Sequence, residues 1–151
     1  MHYRYLNEDD LAALSDLERR VFPERPPSFY RIKRATLSFF ARSGHSFAAE
    51  EEGAVRGFAL AQAVWQGDRA TVLATRIAAD SYEVYRGLLR VLLKSAYDAN
   101  AYEVALLFDP QARSRLGRAA ADAGFSSTDL SLFSRVLGSR GSRGESAGVL
   151  E

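Results

Sequence analysis

Val104-Ala105-Leu106-Leu107-Phe108 is an unbroken apolar run, the pattern of a strand covered on both faces. In front of it lies a long amphipathic stretch, with Tyr85, Leu88, Leu89, Leu92 and Ala96 on one face and Arg86, Arg90 and Lys94 on the other. Asp80 with Glu83 three residues later predicts a capping box that opens this helix, which ends near Asn100. A helical crossover of this length favours parallel pairing of the strands it joins. Residues 69–78, the strand before the helix, are therefore expected beside residues 104–108, and the latter should form the most buried strand of the sheet.

Upstream, Gly67-Asp68 and Glu51-Glu52-Gly53-Ala54 are turn signals. They divide residues 46–50, 55–66 and 69–78 into an antiparallel meander. Further back, Phe29, Ile32, Thr36, Phe39 and Phe40 trace a helix stopped by Ser43-Gly44, beyond the break Pro23-Glu24-Arg25-Pro26-Pro27-Ser28. An earlier helix carries Leu11, Leu14, Leu17 and Val21, with capping candidates in Asn7-Glu8-Asp9-Asp10, and residues 2–6 alternate as a first strand. Downstream, Asp109-Pro110 supplies an N-cap and first helical residue, Leu116, Ala119, Ala120 and Ala123 a buried face, and Gly124-Phe125 a Schellman-like stop. Residues 130–137 read as a last strand.

The chain has 151 residues, 47% hydrophobic and 26% charged, the size and composition of one globular domain. Cysteine is absent, which excludes disulfides, thiolate nucleophiles and Cys-ligated metal centres and suits a reducing cytoplasm. With His2 and His45 as the only histidines, no His-rich metal site can be built. A Ser-His-Asp triad would have to use His45, which reads instead as a turn residue. The net charge of +1 gives no field that recruits nucleic acid or a membrane surface. No apolar stretch is long enough to span a bilayer, and the N-terminus lacks the apolar core of a secretory signal. Glu50, Glu51 and Glu52 read as solvated charge at a hairpin tip, Trp65 as core, and Arg25, Arg31, Lys33, Arg34 and Arg42 as a wet helix face that hints at an acidic acceptor.

The resulting fold is α/β (α+β), a mixed, mostly antiparallel sheet with helices on both faces in the order β-α-α-β-β-β-α-β-α-β. It occupies residues 1–137, and residues 138–151, which begin Gly138-Ser139-Arg140-Gly141-Ser142-Arg143-Gly144, form a Gly/Ser/Arg extension. This order, with the meander, the long helix, the buried run at residues 104–108 and the helix ending Ala123-Gly124-Phe125, resembles the GNAT superfamily of acyl-CoA N-acyltransferases. It looks like a divergent, functionally uncharacterised branch of it.

The resemblance implies acyl transfer from acetyl-CoA, without a metal, to a small-molecule or peptide amine. It also implies a pyrophosphate site where the long helix begins, which the family marks with a loop of the form Arg/Gln-x-x-Gly-x-Gly/Ala. Glycine lets the backbone approach the phosphates and the helix start favours their charge. The corresponding stretch here is Ala79-Asp80-Ser81-Tyr82-Glu83-Val84-Tyr85-Arg86-Gly87. Aligned forward from residues 69–78, the family's glycines fall on Glu83, Tyr85 and Gly87; aligned backward from residues 104–108, on Ser81, Glu83 and Tyr85. The loop is degenerate, with at most one glycine. The CoA contacts expected are the backbone of Arg76, Ile77 and Ala78 and the segment Tyr82, Glu83, Val84, Tyr85, Arg86 and Gly87, with Arg86 as phosphate partner.

Many members place a tyrosine about four residues before the Gly-Phe ending, as acid for the departing thiolate. That position is Ala120, so no catalytic residue is assigned. Two function classes follow: a divergent N-acetyltransferase that works by positioning an amine against the thioester, or a GNAT-shaped interaction module without efficient acyl transfer. Neither nucleic acid nor membrane is an expected partner, and a homodimer is admitted.

Overall fold

The structure, a computed structural model, describes residues 1–24, 31–107 and 113–134. Strands β1 (His2–Tyr5), β2 (Phe47–Glu51), β3 (Ala54–Gln66), β4 (Arg69–Ala79) and β5 (Glu103–Leu106) lie side by side in chain order. The first four pair antiparallel, and β5 pairs parallel to β4. Helices α1 (Leu11–Val21), α2 (Arg34–Ala41), α3 (Tyr82–Asp98) and α4 (Arg113–Asp122) cover the sheet. This is the mixed, mostly antiparallel α+β architecture expected. Glu52 and Gly53, both at positive φ, make the β2–β3 turn, and Gly67 at φ 64° opens the β3–β4 turn.

Register explains how the helices fit. Tyr3, Ala49, Gly57 and Ala79 are aligned across β1 to β4, and this row of mostly small residues lies under the first half of α3. A Cβ at Gly57 would stand 2.5 Å from Val84 Cγ1 and 3.0 Å from Leu88 Cδ1, so α3 approaches the sheet as closely as it does because that position is glycine. The row of opposite phase runs Arg4, Ala48, Phe58, Ala78 and faces α1, whose Leu14 and Leu17 are fully buried. Arg4 donates to both carboxylate oxygens of buried Asp10, at 2.9 and 2.8 Å. The 3₁₀ turn Glu8–Asp10 is closed by the Asn7–Asp10 capping box, which ties β1 to the start of α1.

Two helices end as the sequence suggests. After α4, Phe125 N–H donates to Ala120 O and Gly124 N–H to Ala121 O, a Schellman pair with Gly124 at φ 85°. After α3, Ala101 N–H donates to Ala96 O and Asn100 N–H to Tyr97 O, with Asn100 in the left-handed position at φ 57°.

Several expectations are corrected. β5 is half-buried and lies at the margin of the sheet among the described residues; the fully buried centre belongs to β3 and the second half of β4. An apolar run shows that a strand can be covered on both faces, but the number of neighbouring strands is set elsewhere in the chain. The cap of α3 is Ser81, whose Oγ accepts from Val84 N–H, not Asp80, because Asp80 is drawn back to Arg56 of β3. That leaves Glu83 at the second helical position, outside any capping box. The second helix starts at Arg34, and its buried residues are Leu37 and Phe40 while Phe39 is exposed. Trp65 is exposed on the far end of β3, beyond the last rung with β2. Residues 130–134 form no strand. Arg25, Phe29, Phe108, Asp109, Pro110 and residues 135–151, including the 138–151 extension, lie outside the described residues.

Candidate functional site

The rungs between β4 and β5 run from Thr71–Glu103 to Ala74–Leu106, and Leu107 N–H donates to Ala74 O. Beyond Ala74, β4 continues to Ala79 with β3 as its one partner strand among the described residues. The parting coincides with a register shift: Leu60 pairs with Arg76 and Ala61 with Ala74, so Thr75 is an extra residue on β4. An extra residue reverses the direction of the peptide groups that follow. Ala74 O faces β5, whereas Asp80 N–H, six residues on, donates to Arg56 O of β3. By strand alternation Ile77 and Ala79 then turn their N–H and C=O groups away from β3 into the opening, and Arg76 and Ala78 turn theirs toward β3. Among the described residues the result is a wedge between β4 and β5 that leads to the start of α3.

The first turn of α3 has four N–H groups without intrahelical partners. The Ser81 side chain engages Val84 N–H, and Tyr85 N–H makes the first intrahelical bond, to Ser81 O; of the helical residues in this turn, Tyr82 and Glu83 keep N–H donors that the cap does not use. They carry the partial positive charge of the helix start.

Charge around this turn is arranged by three elements. Asp80 is held by the Arg56 guanidinium, while its Oδ1 is buried with no hydrogen-bond partner among the described residues. Glu83 is exposed, with Arg86 Nη1 at 3.8 Å. From α4, Arg115 Nη1 donates to Asp80 O at 2.9 Å, the Arg118 guanidinium lies 4.9 Å from the Tyr82 ring centroid, and Asp122 Oδ2 accepts from Tyr82 Oη at 2.5 Å. That hydrogen bond raises the Tyr82 pKa, so the phenol keeps its proton. Arg56, Arg86, Arg115 and Arg118 are matched in number by Glu51, Asp80, Glu83 and Asp122, so the side chains around the helix start balance and the arginines on α4 supply its exposed positive groups.

Of the expected contacts, Ile77, Tyr82, Glu83 and Arg86 have a backbone or side chain at this wedge. Val84 and Tyr85 are buried under α3, and Gly87 is filled by a neighbour: its absent Cβ would lie 1.7 Å from Tyr3 Oη. The Arg76 side chain points to the opposite face and pairs through Nε with Glu18 Oε1 of α1 at 2.6 Å, the two side chains 15% and 12% exposed. Sequence reading missed Arg115 and Arg118; three apart on the helix that follows β5, they share a face, which was the available signal. It also missed Glu18, because nothing local marks its partner on β4.

The other candidates sit away from the wedge. Glu50 accepts from Arg4 Nε at 2.9 Å and Glu51 from Arg56 Nη1 at 2.7 Å. His45 is buried with Nδ1 2.5 Å from Ser95 Oγ, and burial lowers its pKa. Ala120 is buried against the core. No group of ligating side chains able to hold a metal occurs among the described residues, and none of their helices is long and apolar enough to cross a membrane.

A family model described as "Protein of unknown function (DUF1999)" matches residues 1–147. No curated protein matches the sequence. Among solved structures, wild-type TTHA1254 from Thermus thermophilus is 51% identical with a TM-score of 0.77, covering 93% of this chain and 100% of that one. The aminoglycoside N-acetyltransferase AAC(6')-Iy, solved with CoA, is 19% identical with a TM-score of 0.67, covering 89% of this chain and 93% of that one. An aminoglycoside acetyltransferase from an uncultured soil metagenomic sample, meta-AAC0020 with sisomicin, is 17% identical with a TM-score of 0.70, covering 91% and 96%. These last two likenesses bear on the fold alone, and it is the fold expected from the sequence.

Proposed function

The chain belongs to the DUF1999 family and has a GNAT-like fold, and from that premise we propose that it is a divergent acyl-CoA-dependent N-acyltransferase with acetyl-CoA as donor. The observation that carries this reading is the wedge opened at Thr75, which leads to a helix start ringed by arginines. The pantetheine arm of the donor lies along β4 as an added strand would, its amides meeting the peptide groups of Ile77 and Ala79. The pyrophosphate meets Tyr82 and Glu83 N–H, with Arg86, Arg115 and Arg118 in the role that close backbone approach plays where the loop is rich in glycine.

In this reading a neutral amine attacks the thioester carbonyl carbon; the C–N bond forms, the C–S bond breaks, CoA leaves as the thiolate, and the ammonium proton goes to solvent. The chain contributes alignment of the two reactants and assigns no side chain to proton transfer. The buried Ala120 favours a second reading, an interaction module that keeps the fold without efficient transfer. Calorimetric titration with acetyl-CoA and free CoA tests the proposal. Glu83→Gln removes a like charge at the helix start and should tighten CoA about two- to fivefold, more at low salt than at high salt. Arg115→Gln and Arg118→Gln should weaken it. Absence of binding at millimolar ligand, with all variants folded, favours the module.

A further inference from the structure

The bulge at Thr75 also re-aims a side chain. Residues two apart on a regular strand share a face, which would put Arg76 on the side of Ala74. Ala74 pairs with Ala61, on the same face as Ala59 and as Gly57, which lies under α3. The extra residue moves Arg76 to the rung of Leu60 and its side chain to the opposite face, that of α1. There Nε meets Glu18 Oε1 at 2.6 Å. One irregularity thus parts β4 from β5 and, one residue later, carries a guanidinium to a carboxylate.

Both side chains are largely buried, and each keeps a part exposed. Two charges taken out of water add little stability over apolar side chains of the same volume, and charged groups buried beside a cleft are candidates for binding chemistry. The place of this pair matters as much as its burial. With the donor laid along Ile77 and Ala79 and its pyrophosphate at the start of α3, the thioester lies at the closed end of the wedge, by Ala74 and Thr75. Arg76 and Glu18 then stand beside the acyl group, on the face of the sheet that carries α1.

We propose that the Arg76–Glu18 pair is the acceptor subsite and that the acceptor is an α-amino acid, its carboxylate at Arg76 and its ammonium at Glu18. The inference rests on the acyltransferase reading above. The pair has no net charge, so a plain amine loses at Arg76 what it gains at Glu18. An α-amino acid carries opposite charges on one carbon, and set head to tail against the pair it satisfies both. The parallel N–H groups of arginine match a carboxylate, and Glu18 holds the nitrogen toward the acyl carbon. The nitrogen bonds that carbon, the C–S bond breaks, CoA leaves as the thiolate, and the two protons lost by the ammonium go to solvent.

The test uses the full chain with acetyl-CoA and the common L-amino acids, each beside its methyl ester. The chain has no cysteine, so a thiol reagent reads released CoA alone. Esterification removes the carboxylate charge and makes the amine less basic, so reactivity without recognition favours the ester. At least one L-amino acid should instead be acetylated with a kcat/KM about tenfold or more above that of its ester. Glu18→Gln/Arg76→Gln keeps the volumes and removes both charges; it should abolish this preference. Arg76→Lys, which keeps the charge but not the parallel N–H groups, should raise KM for the amino acid about fivefold or more and decides the matter if the double variant does not fold. Calorimetric CoA affinity should stay within about twofold in both variants, because these side chains lie on the face away from the helix start. With CoA bound, failure to acetylate any L-amino acid, an ester as good as its acid, or a preference unchanged in the folded variants overturns the proposal and leaves the acyltransferase reading standing. A wild type that does not bind CoA overturns that reading, and this inference with it.

Discussion

Replacing Gly87 with alanine sets two effects of known sign against each other. Gly87 lies inside α3, where alanine is favoured over glycine by about 0.8–1 kcal/mol. The added Cβ, however, would stand 1.7 Å from Tyr3 Oη, 2.2 Å from Cζ and 2.8 Å from Cε1. The obstacle is the far end of a side chain on β1, so relief comes from swinging the phenol off the helix and losing its packing, a penalty of about 1–3 kcal/mol by analogy with overpacked cores. The net effect of Gly87→Ala is then a loss of roughly 0–2 kcal/mol, at about 2–4 °C of Tm per kcal/mol for a chain of this size. In a Tyr3→Ala background only the propensity gain remains, and the same substitution should stabilise by about 1 kcal/mol. Urea denaturation of the four proteins measures the coupling, expected at about 1–3 kcal/mol, and CoA affinity should be the same with glycine or alanine at this position. Equal effects of Gly87→Ala in both backgrounds would refute the reasoning, and loss of CoA binding without loss of stability would assign the glycine to the ligand.

Gly57→Ala meets buried Val84 and Leu88 of α3, at 2.5 and 3.0 Å, instead of a side-chain tip; it should cost about 1–3 kcal/mol in either Tyr3 background, measured by the same urea transitions. Glu18→Ala leaves the Arg76 guanidinium largely buried without its carboxylate and should cost about 2–4 kcal/mol, with Glu18→Gln intermediate, by thermal or urea unfolding. His45 has its pKa lowered from the ordinary 6.5 by burial, so the unfolded chain binds the proton more tightly. Its contribution is whole above the unfolded value and is lost as the pH falls below it toward the lower folded value. The His45 ring should titrate below 6.5 by NMR, and the stability of a His45→Asn variant should fall less than that of the wild type on acidification.

The strand–helix–strand unit from Arg69 to Leu106 was legible because the Gly67-Asp68 turn, the 3.6-residue period of the helix and the unbroken apolar run after it mark its three parts in different ways. The Schellman ending was legible because Gly124-Phe125 carries its own local chemistry. What the sequence concealed depended on partners far along the chain. Asp80 and Ser81 are equally good caps in isolation, and Arg56, brought alongside by the β3–β4 register, takes Asp80 and leaves the cap to Ser81. The bulge at Thr75 has no marker residue, although it alone decides that Ile77 and Ala79, and not Arg76 and Ala78, present their peptide groups to the wedge. Gly87 could be read as a remnant of a phosphate loop until Tyr3 was seen against it. Glycine in a helix signals close approach, but not of what.

Titration of isotope-labelled protein with CoA, followed by backbone amide shifts, tests the central claim most directly. The account predicts saturable shifts at Ile77, Ala79, Tyr82 and Glu83 with smaller changes at Arg76 and Ala78, since only the first four amides face the wedge or the uncapped helix start. Shifts centred elsewhere, or none at millimolar CoA with the spectrum of a folded protein, would contradict it.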